Sequence, residues 1–236
     1  MSSLMGPAYL VHIVLTVALL MMSAVVHEVA HGYVAHLCGD DTAKEAGRLT
    51  LNPAKHLDPL GSVVLPLLMA VAGGAVFAFA KPVPYNPWRL KNRRRDEVLV
   101  ALAGPASNLV QAAVGAVAFN LAWGAVERNP ALYLEGVLPL VGETPMGLLL
   151  TVLVTYVQVN LMLCFFNLIP LPPLDGSKVL CMFLKGEALE RYYQIQHYAM
   201  PILIIALYVI PRLGIDPVGA YLNATAGGLM TLMLGA

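Results

Sequence analysis

The sequence predicts an all-α polytopic membrane protein with about five transmembrane helices, one re-entrant or hairpin segment and a small strand-like element. Hydrophobic residues make up 58% of the 236 positions and charged residues only 12%, which is too apolar for an ordinary soluble domain of this length. Long uncharged runs recur along the chain, and basic residues concentrate in one connection between two of these runs. These observations predict a helical bundle embedded in the lipid bilayer.

Six uncharged apolar runs are candidates for membrane segments, since a crossing helix needs about 20 apolar residues. The runs cover residues 5–26, 60–80, 98–126, 146–174, 195–211 and 217–236. The first is predicted to be a retained span and not a signal peptide, because no Lys or Arg precedes it and no small-residue cleavage motif is evident. No repeat or soluble domain interrupts the series, so we expect a single membrane-embedded domain over residues 1–236.

Local charge predicts which side of the membrane each connection faces. The formal net charge is zero, with 14 basic and 14 acidic residues, so nothing suggests a nucleic-acid partner. The stretch 81–96 carries Lys81, Arg89, Lys91, Arg93, Arg94 and Arg95. Because basic residues next to a membrane span favour the inner side, this connection is expected to be cytoplasmic.

The stretch VVHEVAHGYVAH, residues 25–36, places two histidines and a glutamate inside an apolar helix. His27 and His31 are four residues apart, so a helix stacks their imidazoles on one face about one turn apart. In this HExxH arrangement both imidazoles bind one zinc ion, and the neighbouring Glu28 acts as general base toward the attacking water. The alternative is a helix end with satisfied interfacial polar groups.

A catalytic zinc site needs a third protein ligand, and the three cysteines form no CxxC pair that would supply one. Asp175 is the best candidate, because it lies in FFNLIPLPPLDGSKVL, residues 165–180, where three prolines break an apolar run. Backbone groups that prolines leave free inside a membrane must pack against protein or line a wet cavity. An ordinary turn at the end of a span is the alternative, since Asp-Gly is common in turns.

Three motifs together resemble those of a known family. HEVAH at 27–31, AGPASN at 103–108 and NLIPLPPLDG at 167–176 are similar to the signature motifs of the site-2 protease family of intramembrane zinc metalloproteases. The resemblance implies that His27, His31 and Asp175 bind one Zn²⁺ per chain and that Glu28 is the catalytic base. It also implies that the substrate is a peptide bond in or near a transmembrane segment of another membrane protein, as in regulated intramembrane proteolysis.

Two further stretches, residues 47–62 and 80–87, look like a compact prokaryotic branch of this family without a PDZ domain. The resemblance implies a catalytic core over about residues 7–180, C-terminal helices over about 195–236, and a place in a prokaryotic cell membrane. The chain departs from many members at Ser177 and Lys178, which bears on substrate detail and not on metal binding. The sequence leaves the oligomeric state open.

A shared metal site predicts the topology, because its ligands must lie at one depth. His27 lies about 30 Å along the first span, and Asp175 ends the fourth apolar run, so these two helices must run in the same direction. Residues 60–80 are therefore expected to re-enter the membrane without crossing it, consistent with Pro66, Gly73 and Gly74. The positive-inside rule then puts the active site toward the cytoplasmic side.

Other polar residues are candidates for roles around the site. Asn108 and Asn167 lie in apolar runs, where an unpaired amide is costly; they serve either interhelix hydrogen bonding or binding of the substrate backbone or developing oxyanion. His56 is either an ordinary loop histidine or part of a gate for substrate or water. The strand-like GRLTLNP, residues 47–53, is predicted to hold an unwound substrate along its edge.

A second class of protein stays open from the residues alone. A histidine–carboxylate site inside a bundle also suits a zinc-binding membrane transporter, or a catalytically silent scaffold that holds membrane helices. Glu28 separates these alternatives from a protease, since neither needs a general base between its ligands.

Overall fold

The computed structural model describes residues 7–58, 81–129 and 144–235, and within these ranges the chain forms helices and no β-strand. The helices are α1 (Pro7–Leu37), α2 (Thr42–Glu45), α3 (Arg93–Arg128), α4 (Pro145–Asn167), α5 (Gly176–Phe183), α6 (Glu187–Gln196), α7 (Ala199–Ile204), α8 (Pro217–Leu222) and α9 (Gly228–Leu234). A π-helical turn at Ile205–Val209 follows α7, and a second at Asn223–Gly227 joins α8 to α9. This confirms the all-α part of the predicted fold class.

Three of the described helices are long and apolar enough to cross a membrane: α1 over Val11–Leu37, α3 and α4. The pair formed by α6 and Ala199–Leu213 bends by 74° and makes a fourth span if it is counted as one. The structure therefore supports a membrane protein, while the predicted count of about five spans is not confirmed. Residues 60–80, predicted to re-enter the membrane, lie outside the described residues, as does most of the acidic connection before α4.

Contacts among α1, α3 and α4 fix the directions of these three helices. Asn108 of α3 contacts both His27 of α1 and Asn160 of α4, and Ser23 of α1 contacts Asn160. Further toward the start of α3, the Val100 carbonyl meets His31, so α3 runs antiparallel to α1. The Tyr156 hydroxyl of α4 donates to Gln111 Oε1 of α3, so α4 runs antiparallel to α3. α1 and α4 therefore run in the same direction, which is the arrangement that a shared site for His27 and Asp175 requires.

Small residues let α3 and α4 pack closely with the C-terminal helices. Ala112, Ala116, Val157, Leu161 and Ala226 form a buried apolar cluster. Short side chains bring helix backbones near each other, so dispersion contacts hold the bundle where the hydrophobic effect between helices is weak. The C-terminal helical run from α8 to α9 thus completes one side of the bundle.

A buried carboxylate joins the end of α1 to segment 81–86, the irregular stretch that follows the undescribed residues. Asp40 accepts hydrogen bonds from the Thr42 amide and hydroxyl and from the Asn86 amide. Burial alone would raise the pKa of Asp40, but these hydrogen bonds outweigh it and hold that pKa below its ordinary value. Segment 81–86 is thereby fixed beside α1.

The strand-like element predicted at residues 47–53 is not confirmed, since residues 48–52 are irregular and pair with no strand in the described ranges. There, side chains and not a neighbouring strand form the hydrogen bonds to backbone N–H and C=O groups. The His56 Nε2–H donates to the Thr50 carbonyl over 2.8 Å, and Asn52 Oδ1 accepts from the Ala54 amide over 3.0 Å. These local bonds compete with strand pairing for the same backbone.

Candidate metal centre and active site

Three buried side chains from distant parts of the sequence meet between α1 and the start of α5. His27 Nε2 and His31 Nε2 lie 2.9 Å apart, and Asp175 Oδ2 lies 3.2 Å from each of them. Within the described residues they form the one cluster of three or more His, Cys, Asp or Glu side chains that could hold a metal ion. The three predicted ligands are thus brought together.

Hydrogen bonds on the far side of each imidazole show that this donor set suits a cation. The Nδ1–H of His31 donates to the Val100 carbonyl over 2.6 Å, and the Nδ1–H of His27 donates to Asn108 Oδ1 over 2.6 Å. In a neutral imidazole the proton on Nδ1 leaves a lone pair on Nε2. Two lone pairs and a carboxylate oxygen therefore face one another without a hydrogen between them, which is favourable only around a cation. Imidazole and carboxylate are ordinary zinc ligands.

Gly104 of α3 faces the two imidazoles and leaves room for them. A Cβ atom at this position would lie 2.4 Å from both His27 Nε2 and His31 Nε2. Any larger residue would occupy the space where the three acceptor atoms converge. The glycine of the AGPASN motif therefore keeps one side of the donor set open.

Asp175 is positioned by the break between α4 and α5. α4 ends at Asn167, and turns follow through residues 168–174, where the Pro170 carbonyl accepts a hydrogen bond from the Tyr192 hydroxyl. An aspartate just before a helix ordinarily caps the helix amides, but the Asp175 carboxylate makes no capping bond. Its Oδ2 faces the histidines, and its Oδ1 lies 3.8 Å from Lys178 Nζ.

Glu28 lies next to His27 on α1, and a backbone amide holds its carboxylate. Val83 N–H donates to Glu28 Oε2 over 2.8 Å. Within the part of the chain that the structure describes, Oε1 has no hydrogen-bond partner and is free to accept a proton. This geometry suits a general base.

The remaining predicted site residues occupy different positions. Asn108 is fully buried, and its amide contacts His27 and Asn160; these contacts favour the interhelix alternative over direct binding of an oxyanion. Asn167 donates to the Leu163 carbonyl of its own helix over 3.0 Å, which leaves a second N–H. Substrate binding by Asn167 stays a prediction.

His56 is fully buried in the connection between α2 and segment 81–86. Its Nδ1 lies 3.4 Å from Arg48 Nη2, and its carbonyl accepts from the Lys81 amide over 2.8 Å. Arg48 Nη2 also donates to the Lys81 carbonyl over 2.7 Å. His56 therefore holds together two pieces of backbone, one of which leads to Val83, and the structure shows no contact between it and the three candidate ligands.

Two contributors were missed by sequence reasoning. Asn160 of α4 is an amide inside an apolar run, the same signal that singled out Asn108 and Asn167, and that signal could have found it. Val83 acts through its backbone N–H, for which the residue type carries no signal.

A bundle of membrane-length helices that encloses a His-His-carboxylate site beside a glutamate defines a membrane-embedded metallohydrolase. Residues 15–209 match the family described as Peptidase family M50, and the chain belongs to this family. It is a zinc metalloprotease of the site-2 protease type, as the sequence motifs indicated, and its cofactor is Zn²⁺.

Curated relatives agree with this assignment. The chain is 38% identical over 215 residues to "Putative zinc metalloprotease YwhC" of Bacillus subtilis (strain 168), covering 90% of this chain and 88% of the relative. It is 31% identical over 206 residues to "Putative zinc metalloprotease Rip2" of Mycobacterium tuberculosis (strain ATCC 25618 / H37Rv), covering 87% and 71%. It is 28% identical over 200 residues to "Putative zinc metalloprotease Rip2" of Mycolicibacterium smegmatis (strain ATCC 700084 / mc(2)155), covering 85% and 68%. No solved structure matches the chain.

Proposed function

We propose that this chain is an intramembrane endopeptidase, which hydrolyses peptide bonds in or near transmembrane segments of other membrane proteins. The observation that carries the proposal is the depth of the site. His27 and His31 lie within the candidate span Val11–Leu37 and not beyond its end, and His27 is roughly 15 Å before that end at 1.5 Å per residue. A substrate bond must therefore come into the bundle to reach Glu28.

The chemistry assigns a role to each residue of the site. His27, His31 and Asp175 would hold the metal. When bound, zinc supplies a Lewis acid that polarises a carbonyl and increases the acidity of water. Glu28 takes a proton from the water that attacks the substrate carbonyl and delivers it to the leaving amine. Asn167 is proposed to bind the substrate backbone through its second amide N–H.

The active site is proposed to lie toward the cytoplasmic side of a prokaryotic cell membrane. Arg93, Arg94 and Arg95 form the first turn of α3, and basic residues favour that side. Val100, which binds His31, follows Arg95 by roughly 8 Å along the helix. We further propose a single domain of about five spans, in which residues 47–53 lie beside the bound substrate.

Metal content tests the site directly. Mass spectrometry of detergent-purified protein should find about one zinc per chain in the wild type and much less in Asp175→Ala, because the donor set loses its carboxylate. Glu28→Gln is the matched control and should retain zinc. Full retention by folded Asp175→Ala would contradict the assignment of the third ligand.

Intramembrane cleavage needs a separate measurement. Cells producing either the wild type or Glu28→Gln would be compared by mapping the N-termini of their membrane proteins. The proposal predicts new N-termini inside apolar spans of about 20 residues that depend on Glu28. New termini confined to soluble domains, or equally abundant in Glu28→Gln, would contradict it.

A further inference from the structure

A chain of buried amides links His27 to the backbone of α4. Asn160 Nδ2 donates to the Tyr156 carbonyl and to Ser23 Oγ, each over 2.9 Å. Asn108 Nδ2 donates to Asn160 Oδ1 over 2.9 Å, and Asn108 Oδ1 accepts from His27 over 2.6 Å. Ser23, Asn108 and Asn160 are all fully buried, so water does not compete for these bonds.

The Tyr156 carbonyl fixes which group donates and which accepts in every hydrogen bond of this series. A backbone carbonyl only accepts, so the Asn160 amide must turn its NH₂ toward Tyr156 and its oxygen toward Asn108. Asn108 must then turn its own NH₂ toward Asn160 and its oxygen toward His27. Reversing either amide would place two oxygens against each other in a dry interior, which is costly.

The orientation of Asn108 also fixes the position of the proton on His27. Because Asn108 presents an oxygen, His27 must carry its proton on Nδ1, and Nε2 keeps its lone pair toward His31 and Asp175. We infer that Asn160 and Asn108 are positioning residues, which form an amide relay from the Tyr156 carbonyl to His27 and fix that imidazole in its metal-binding tautomer. The inference rests on the proposed metal role of His27.

The relay differs from the support of the second histidine. His31 donates directly to the Val100 carbonyl of α3, so its tautomer depends on one backbone contact between two helices. The tautomer of His27 depends on α1, α3 and α4 together. α4 supplies the Tyr156 carbonyl at the start of the relay and also leads to the third ligand, Asp175. Metal affinity should therefore depend on the position of α4 in the bundle.

Zinc affinity measures the relay without any substrate. Each protein would be stripped of metal in detergent and titrated with Zn²⁺ at one pH in competition with a chelating dye. Loss of an outer partner of a metal-ligating histidine lowers affinity by roughly 10- to 100-fold, so we expect this loss for Asn108→Leu and a loss of roughly tenfold for Asn160→Leu. Asn108→Asp, as a neutral carboxyl, keeps an acceptor toward His27 and an O–H donor toward Asn160, so it should recover most of the affinity lost in Asn108→Leu.

Asn120→Leu is the matched control on α3, because this amide binds carbonyls of Ala116 and Met233 away from the site. It should bind zinc like the wild type. Melting temperatures of the metal-free proteins show that each variant folds. For any variant that does not fold, nitrogen-15 spectra of histidine-labelled, metal-free wild type provide the second measurement and should show His27 protonated on Nδ1.

The outcomes separate this inference from the proposed metal centre. A folded wild type that binds no zinc overturns both. A wild type that binds zinc, with Asn160→Leu at wild-type affinity or with His27 protonated on Nε2, overturns the relay alone. Equal losses in Asn108→Asp and Asn108→Leu also overturn it, since packing and not the acceptor would then be responsible.

Discussion

The backbone N–H of Val83 donates a hydrogen bond to Glu28 Oε2 over 2.8 Å, although the two residues are 55 positions apart. Gly32, one helical turn after Glu28, permits this approach, because a Cβ there would lie 2.7 Å from Val83 Cγ1. Segment 81–86 therefore packs closely against α1 and holds the carboxylate of the proposed base in one orientation.

Removing the Val83 N–H should impair catalysis without reducing zinc binding. Val83→Pro deletes the donor, and a hydrogen bond to a charged group contributes about 1.5–3 kcal/mol, so kcat/KM should fall roughly 10- to 150-fold. The assay would use a membrane substrate identified by N-terminal mapping. Val83→Ala keeps the amide and should retain most activity. Equal activity of the two variants would show that the hydrogen bond has no catalytic role.

Glu28→Gln should separate metal binding from turnover. The amide keeps the size of the side chain but does not accept a proton, so cleavage should slow by roughly 10²- to 10⁴-fold while zinc stays bound. Cleavage assays and metal analysis on the same preparation check this. Loss of zinc together with activity would mean that Glu28 supports the metal and is not only a base.

A methyl group at Gly104 should weaken zinc binding. The new Cβ in Gly104→Ala would lie 2.4 Å from both Nε2 atoms, and overpacking costs about 1–3 kcal/mol, or roughly 5- to 150-fold in affinity. Gly124→Ala on the same helix is the control, since its Cβ meets only Arg128 Nη1 at 3.8 Å. Dye competition measures both, and unchanged affinity in Gly104→Ala would show that the donor set does not need this space.

Acid should destabilise the wild type partly through Asp40. Its folded pKa is lowered by hydrogen bonds, so its stabilisation is complete above the unfolded value of about 3.9 and is lost as pH falls through the lower folded value. Asp40→Asn should be less stable at pH 7, by about 1.5–3 kcal/mol, and lose less further stability on acidification. Thermal unfolding in detergent from neutral to acidic pH measures this.

The control for Asp40 is Glu190→Gln, which alters an exposed carboxylate on α6. Its melting temperature should follow that of the wild type at each pH. An acid profile of Asp40→Asn that parallels the wild type would contradict the role assigned to Asp40.

Hydropathy predicted the membrane helices better than their ends. The runs at residues 98–126 and 146–174 correspond to α3 and α4, because a continuous apolar stretch of this length forms a helix in lipid. α3 begins earlier, at Arg93, and α1 continues to Leu37, since polar and charged residues end an apolar run without ending the helix. The 74° bend after α6 lies inside the predicted run at residues 195–211, where hydropathy carries no information on the direction of the chain.

For the site, too, the sequence predicted which residues take part better than how they are oriented. HEVAH and LDG predicted which side chains would meet, because spacing on a helix and chemical type are both visible in sequence. The orientation of each imidazole was not predictable, since it depends on the Val100 carbonyl and on amides from other helices. The contact of Glu28 with Val83 was equally hidden, because every residue except proline carries the same backbone donor.

The candidate ligands are far apart in the order of synthesis. His27 and Asp175 are separated by 148 positions, and at about 5–20 residues per second the ribosome adds the third ligand about 7–30 s after the first. During that interval the nascent chain has both imidazoles but not the Asp175 carboxylate, and Asn160 also belongs to the later helix. On the proposed function, an unfinished chain would therefore lack the complete site and could not yet cleave other proteins in the membrane.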